Sequence, residues 1–407
     1  FVPSRGLGDV YKRQIQLSVI GLIAALMGIG QNGLLVSLPF LVEHSAFALP
    51  TWSILIAVGS FLFLPAAPYW GRHSDQFGPK RVVIQALLGM AISFLLLLVF
   101  AVLSDQGQQW IGWCLAGLVF ARIIYGCTVA GMVPASQHWA ILLCGEQNRI
   151  QAITSVSIGL STGRLLGPLL SIVLLKFSPF APLMVMVLFP ALALMGAYWL
   201  PSPQLDKPCT GKEKPRPSWI PNAPLMPFLL SGLLLCAVIA LLQYSFSPLI
   251  FSVTEWSTDQ ISNAIGILLT ISAAMTVSTQ VLVIKKKKLT PTAMYQLGGL
   301  AMLTGFVLFL VPNIWLFGVA MAIAASGTAL LVPAYTAKAT ETDKSSPGAI
   351  SGYISMSHTL GYGLASLLAF SATINPIYPI YICIGFSAII LTIALKQRSA
   401  GALETQS

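Results

Sequence analysis

Three ionisable side chains stand out by where they lie. Arg122 falls in the run LVFARIIYG, Arg164 in LSTGRLLGP, and His358 in the weakly polar SGYISMSHTLGYG. A charge surrounded by hydrocarbon is costly, and such residues usually face a bundle interior or a water-filled cavity. None of the 12 acidic residues falls deep within an apolar stretch, so the ionisable interior is net positive and favours anionic guests. Arg122, and with it Arg164, is therefore a candidate receptor for a carboxylate-bearing molecule such as a siderophore or another organic anion. The alternative is that both arginines satisfy carbonyls of neighbouring helices and that the guest is an amphipathic neutral or cationic drug. His358 is the candidate proton carrier, because an unperturbed imidazole titrates near pH 6.5. A hydrogen-bonded packing histidine is its other reading, and Glu43 and Glu255 are alternative carriers.

Other chemistries lack their residues. The four histidines (His44, His73, His138, His358) are scattered, and the six cysteines show no CxxC spacing. No metal site is expected, and no disulfide framework. There is no G-x-x-x-x-G-K-[ST] phosphate loop, so ATP does not supply the energy and no cofactor is implied. Gly28 to Gly33 satisfies G-x-G-x-x-G and Gly159 to Gly163 satisfies G-x-S-x-G. Neither sits at the strand-to-helix turn that its mechanism requires, and both read as glycine packing inside helices. An integral-membrane enzyme acting on lipids would need a His, Asp or Cys cluster at one interface, and a receptor or scaffold would be expected to carry a soluble domain.

The elements that must hold these residues follow from composition. Of 407 residues, 56% are hydrophobic and only 8% charged, against about a quarter charged in soluble domains. A helical span takes about 20 apolar residues, and twelve such blocks are present: 15–42, 51–70, 82–103, 110–142, 152–175, 182–200, 225–251, 261–284, 291–311, 314–337, 349–372 and 377–395. The blocks run without the apolar–polar alternation of a membrane barrel. The expected fold is an all-α membrane protein of twelve transmembrane helices in two pseudo-symmetric six-helix bundles, residues 15–200 and 225–396, joined by a Pro- and Lys-rich cytoplasmic linker, 201–224, and followed by a cytoplasmic tail, 397–407. Residues 1–14 (FVPSRGLGDVYKRQ) match nothing after them and are set apart as a non-native scar or a disordered N-terminus.

The net charge of +10 could suggest nucleic acid in a soluble protein, but here the basic residues are ordered by topology. With the N-terminus inside, all but three of the 22 Lys and Arg fall in inner segments, while Glu43, Asp105, Glu255 and Asp259 fall in outer loops. By the positive-inside rule both termini are cytoplasmic, in the inner membrane, and no nucleic-acid partner is implied. The halves echo each other: Pro134-Ala135 recurs as Pro333-Ala334, Ala152-Ile153 as Ala349-Ile350, and Ser37-Leu38-Pro39-Phe40 faintly as Ser247-Pro248-Leu249-Ile250. A duplicated unit is a common signature of transporters.

Between the second and third blocks the chain reads Gly71-Arg72-His73-Ser74-Asp75-Gln76-Phe77-Gly78-Pro79-Lys80-Arg81. This resembles the loop element G-x-x-x-D-x-x-G-x-[RK]-[RK] of the major facilitator superfamily, with Gly71, Asp75, Gly78, Lys80 and Arg81 in register. Arg122-Ile123-Ile124-Tyr125-Gly126 resembles the R-x-x-Q-G element of the family's twelve-span exporters, with Tyr125 in place of Gln. Gly159, Gly163 and Gly167, spaced by four, with Pro168, resemble its antiporter element G-x-x-x-G-P-x-x-G-G; the last glycine pair is absent, since Ser171-Ile172 stands there.

The resemblance covers residues 15–395 and implies a secondary transporter, not an enzyme. It implies export of a small molecule by alternating access, driven by a proton or other ion gradient and acting in the lipid bilayer as a monomer. An importer of the same superfamily remains the alternative. It further implies that Asp75 and Arg81 join a charge network latching the bundles in one state, and that Gln31 and Asn32 in span one and Gln243 and Tyr244 in span seven line the cavity, unless they serve as helix-to-helix hydrogen bonds. Gly126, Gly159, Gly163, Gly167 and Pro168 are expected to serve helix packing.

Overall fold

A computed structural model describes residues 4–105, 110–202, 221–284, 289–342 and 346–404. The lysines at 285–288, Lys344 and most of the linker assigned from sequence to 201–224 lie outside the described residues. The helices are α1 (Ser4–Glu43), α2 (Leu49–Phe77), α3 (Pro79–Asp105), α4 (Ile111–Val129), α5 (Met132–Cys144), α6 (Arg149–Leu175), α7 (Ala181–Trp199), α8 (Met226–Phe251), α9 (Thr258–Thr279), α10 (Pro291–Leu308), α11 (Ile314–Thr342), α12 (Pro347–Leu368), α13 (Ser371–Ile374) and α14 (Tyr378–Glu404). Every apolar block holds a helix. Among the described residues ten helical stretches are long and apolar enough to cross a membrane; α10 and α12 fill the two remaining blocks.

Residues 4–14, set apart in the sequence, are helical and run into the rest of α1 without a break. The fourth block is divided. Pro134 has no N–H to donate and its ring crowds the carbonyl four residues back, at Ala130, where α4 gives way to α5. Gly131 at that joint lies against Trp70 and Val82.

Two compact units emerge: residues 1–220 with 343–356, and residues 221–342 with 357–407. In the first, α1 packs on α6, α3 on α4 and α7, and α2 on α4, with Trp52, Trp139 and Phe94 wholly buried. In the second, α10 packs on α11 and α14, and α9 on α11, around Tyr295, Tyr335, Phe246, Phe306, Phe309 and Phe317. Large apolar side chains also cover the outside, including Phe61, Leu192, Leu367 and Ile374. A surface so apolar suits lipid and not water. Trp199 at the end of α7 (86% exposed) and Trp315 at the start of α11 (84% exposed) sit where interfacial aromatic belts form.

Polar side chains are mostly satisfied within the helices. Ser37, Ser245 and Thr340 donate to the carbonyls of Gly33, Leu241 and Thr336, four residues back, which lets hydroxyls sit in an apolar medium. The capping box of Ser257 and Gln260 starts α9, and Thr290 caps α10 through the Ala293 amide.

Candidate functional site

At the α2–α3 junction the loop read from sequence is almost entirely helical. Only Gly78 separates the two helices, with φ 96°, a conformation that glycine reaches without steric cost; its N–H closes α2 on the Ser74 carbonyl at 3.0 Å. The charges on either side of this joint cap other helices. Asp75 Oδ1 accepts the Gly348 N–H at 2.8 Å, and Oδ2 accepts the Ala349 N–H at 2.8 Å. These are orphan donors in the first turn of α12, and a carboxylate there also meets the positive end of the helix dipole. Gly71 packs directly on the Gly348 backbone, which brings α2 close enough for this contact. Lys80 does the reverse, donating to the carbonyls of Tyr198 at 2.7 Å and Leu200 at 2.6 Å where α7 ends. Arg81 is exposed.

Residues that the sequence did not single out complete this cluster. His138 of α5 is buried, with Nδ1 2.8 Å from Ser74 Oγ and 3.5 Å from Asp75 Oδ1. Arg72 donates to the Tyr353 hydroxyl. No local pattern marks His138 as a neighbour of Asp75, because 63 positions separate them.

Arg122 is deeply buried (4% exposed) at the seam of α2 and α4. Its Nε donates to the Leu55 carbonyl at 3.2 Å, and its guanidinium carbon lies 4.6 Å from the centroid of the Tyr125 ring. The seam is close because Gly59 and Gly126 face each other: a Cβ on Gly126 would come 2.5 Å from the Gly59 carbonyl oxygen, and one on Gly59 would come 2.9 Å from Arg122 Nη2. Among the described residues no acidic side chain pairs with Arg122, and its Nη1 is buried without a hydrogen-bond partner. A buried charge lacking a counter-charge is strongly unfavourable. Tyr125, ringed by Phe63 and Phe94, likewise has a buried hydroxyl with no partner among the described residues, an arrangement that costs about 1–3 kcal/mol.

The other candidates are distributed. Gly159, Gly163 and Gly167 of α6 lie on the backbone of α1 at Gly21, Ala25 and Ile29 respectively, a close small-residue packing. Across the same seam Asn32 Nδ2 donates to the Arg164 carbonyl at 3.0 Å, and Ser171 Oγ donates to the Gly33 carbonyl at 3.2 Å. Arg164 and Gln31 are half-buried there. The side chain of Pro168 lies outside the described residues. In the second unit Gln243 and Tyr244 are exposed on α8. His358 Nε2 is 2.5 Å from the Tyr335 hydroxyl of α11 and lies over Gly232 of α8; nearby, Tyr295 and Ser231 share a 2.5 Å hydrogen bond. Among the described residues no group of His, Cys, Asp or Glu could hold a metal ion.

The chain is similar to known proteins in sequence and fold. The family model described as Major Facilitator Superfamily matches residues 20–366. The staphyloferrin B transporter of Staphylococcus aureus is 25% identical over 233 residues, 55% of this chain and 52% of that protein. Multidrug resistance protein MdtG of Dickeya zeae is 31% identical over 124 residues, 30% of this chain and 27% of its own. The matched region thus spans about half, or less, of these curated relatives. The human organic anion transporter MFSD10 (TETRAN) superposes with a TM-score of 0.72 at 19% identity, covering 94% of this chain and 98% of that one, which shows the shared fold. With the family model matched along most of its length and ten helical stretches among the described residues long and apolar enough to cross a membrane, the chain belongs to the Major Facilitator Superfamily and is a multi-pass membrane protein.

Proposed function

We propose that this protein is a secondary active exporter of organic anions. It carries a carboxylate-bearing small molecule such as a siderophore across the cytoplasmic membrane by alternating access, with both termini on the cytoplasmic side. The observation that carries this reading is Arg122: a guanidinium 4% exposed, held by one carbonyl and one aromatic face, with Nη1 unpartnered among the described residues. Such a group is stabilised by an anion that arrives with the cargo. The similarity to a protein named staphyloferrin B transporter and to one described as a human organic anion transporter supports this reading.

Energy comes from an ion gradient, with His358, hydrogen-bonded to Tyr335, as the proton-binding group. Asp75 on the first turn of α12 acts as a latch that favours one access state. The second reading, export of amphipathic drugs, draws on the likeness to MdtG and on the Leu55 carbonyl that already occupies Arg122 Nε.

Transport into inverted vesicles separates the two. Polycarboxylates are expected to compete with the cargo in wild-type vesicles and to lose that effect in Arg122→Gln, while lipophilic cations compete weakly in both. Unchanged anion transport in Arg122→Gln would overturn the reading.

A further inference from the structure

We infer that Tyr125 is a specificity-determining residue that supplies the second hydrogen-bond donor for the cargo carboxylate, beside Arg122. This deepens the proposed function and rests on Arg122 being the anion receptor. Tyr125 is 3% exposed and Arg122 4%; they stand three residues apart on α4, one helical turn, and therefore share a face. Each has one buried polar atom without a partner among the described residues, the hydroxyl of Tyr125 and Nη1 of Arg122. Buried polar groups are nearly always paired in native proteins, so two unpaired neighbours on one turn call for a common partner.

That partner is an acceptor. Arg122 can only donate, and a phenol donates readily to an oxyanion. The guanidinium carbon lies over the phenol ring, 4.6 Å from its centroid, so the two donors are immediate neighbours, and under this inference one carboxylate takes a hydrogen bond from each. A lipophilic cation offers neither donor anything. Phe63 and Phe94 flank the ring and hold it in place, and Gly59 leaves the guanidinium the space that a side chain would fill. Both side chains are buried in this structure, so binding here requires that the transport cycle expose them to the cargo.

The test is binding of citrate, tricarballylate, succinate and tetraphenylphosphonium to the full-length protein in nanodiscs, measured by calorimetry on wild type, Tyr125→Phe, Tyr125→Gln and Arg122→Gln. Loss of a hydrogen bond to a charged group predicts citrate affinity about tenfold or more weaker in Tyr125→Phe, partial recovery in Tyr125→Gln through its amide donor, and tetraphenylphosphonium affinity unchanged. As a second readout that keeps the phenol donor, 3-fluorotyrosine at position 125 is expected to shift its fluorine resonance when citrate is added. If Arg122→Gln abolishes citrate binding while Tyr125→Phe binds citrate as wild type does and the resonance stays fixed, the inference about Tyr125 is overturned and the reading of Arg122 stands. If wild type binds none of the three carboxylates, or Arg122→Gln binds them unchanged, the reading of Arg122 falls and this inference falls with it.

Discussion

Asp75 holds Gly348 by a 2.8 Å hydrogen bond from the backbone amide to Oδ1, while its second oxygen takes the amide of Ala349. One carboxylate thus caps a helix that begins 272 residues further along the chain. Charge and geometry act together here, because the two amides lack intrahelical partners and the helix terminus favours negative charge. Asp75→Asn keeps the shape and one acceptor oxygen but removes the charge. Amide exchange at Gly348 and Ala349 is expected to accelerate about tenfold to thirtyfold, corresponding to about 1.5–2 kcal/mol, and transport to slow. Hydrogen–deuterium exchange of the purified protein checks the first, and an unchanged rate at both amides would contradict the capping role.

Lys80 is the counterpart at a helix C-terminus. Its ammonium binds the carbonyls of Tyr198 and Leu200, so Lys80→Ala should lower stability by about 1 kcal/mol, with Lys80→Arg closer to wild type. Thermal unfolding in detergent measures this. Equal stability of the alanine variant would show that the two carbonyls are satisfied without the lysine.

Glycines at the tight α1–α6 seam and on an open helix face predict opposite signs on substitution. A Cβ at Gly163 would run into the Ala25 backbone, and both helices would have to part. Gly163→Ala should therefore destabilise by about 1–3 kcal/mol, in the range of an overpacked interior. At Gly385 of α14 nothing lies within 4 Å of the added methyl, so Gly385→Ala should stabilise by about 0.5–1 kcal/mol through backbone entropy alone. Unfolding midpoints of the two variants, compared with wild type, decide the matter. A neutral Gly163→Ala would mean that the helices accommodate the methyl freely.

His358 and Tyr335 are joined at 2.5 Å. If His358 takes up the coupled proton, His358→Gln should abolish the response of transport to an imposed pH gradient while leaving exchange of cargo in the absence of a gradient. Tyr335→Phe should shift the pH at which transport is half-maximal without abolishing it. Gradient-driven uptake by His358→Gln at the wild-type rate would remove histidine from the mechanism.

The helices were legible in the sequence because a span needs little more than about 20 apolar residues, and each apolar block indeed holds a helix. Legible too were the residues at the α2–α3 joint and the unusual arginines, since charge in hydrocarbon is conspicuous wherever it occurs. Partners across the fold were not. Tyr125 entered only as a departure from a motif, and nothing local told that its hydroxyl would have no partner among the described residues beside Arg122. Asn32, a candidate for binding cargo, spends its amide on the Arg164 carbonyl, a pairing of residues 132 positions apart. The break of the fourth block at Ala130 was masked by unbroken apolarity, although Pro134 carried the signal. Pattern along a helix reports which faces are apolar; it does not report which helix arrives opposite.

The most direct test of the central claim is counterflow in proteoliposomes. Vesicles loaded with unlabelled citrate, tricarballylate or succinate, and then given the labelled compound outside, should accumulate label transiently above equilibrium in wild type and fail to do so with Arg122→Gln. Accumulation of labelled tetraphenylphosphonium with no counterflow of any carboxylate would contradict an anion exporter built around Arg122.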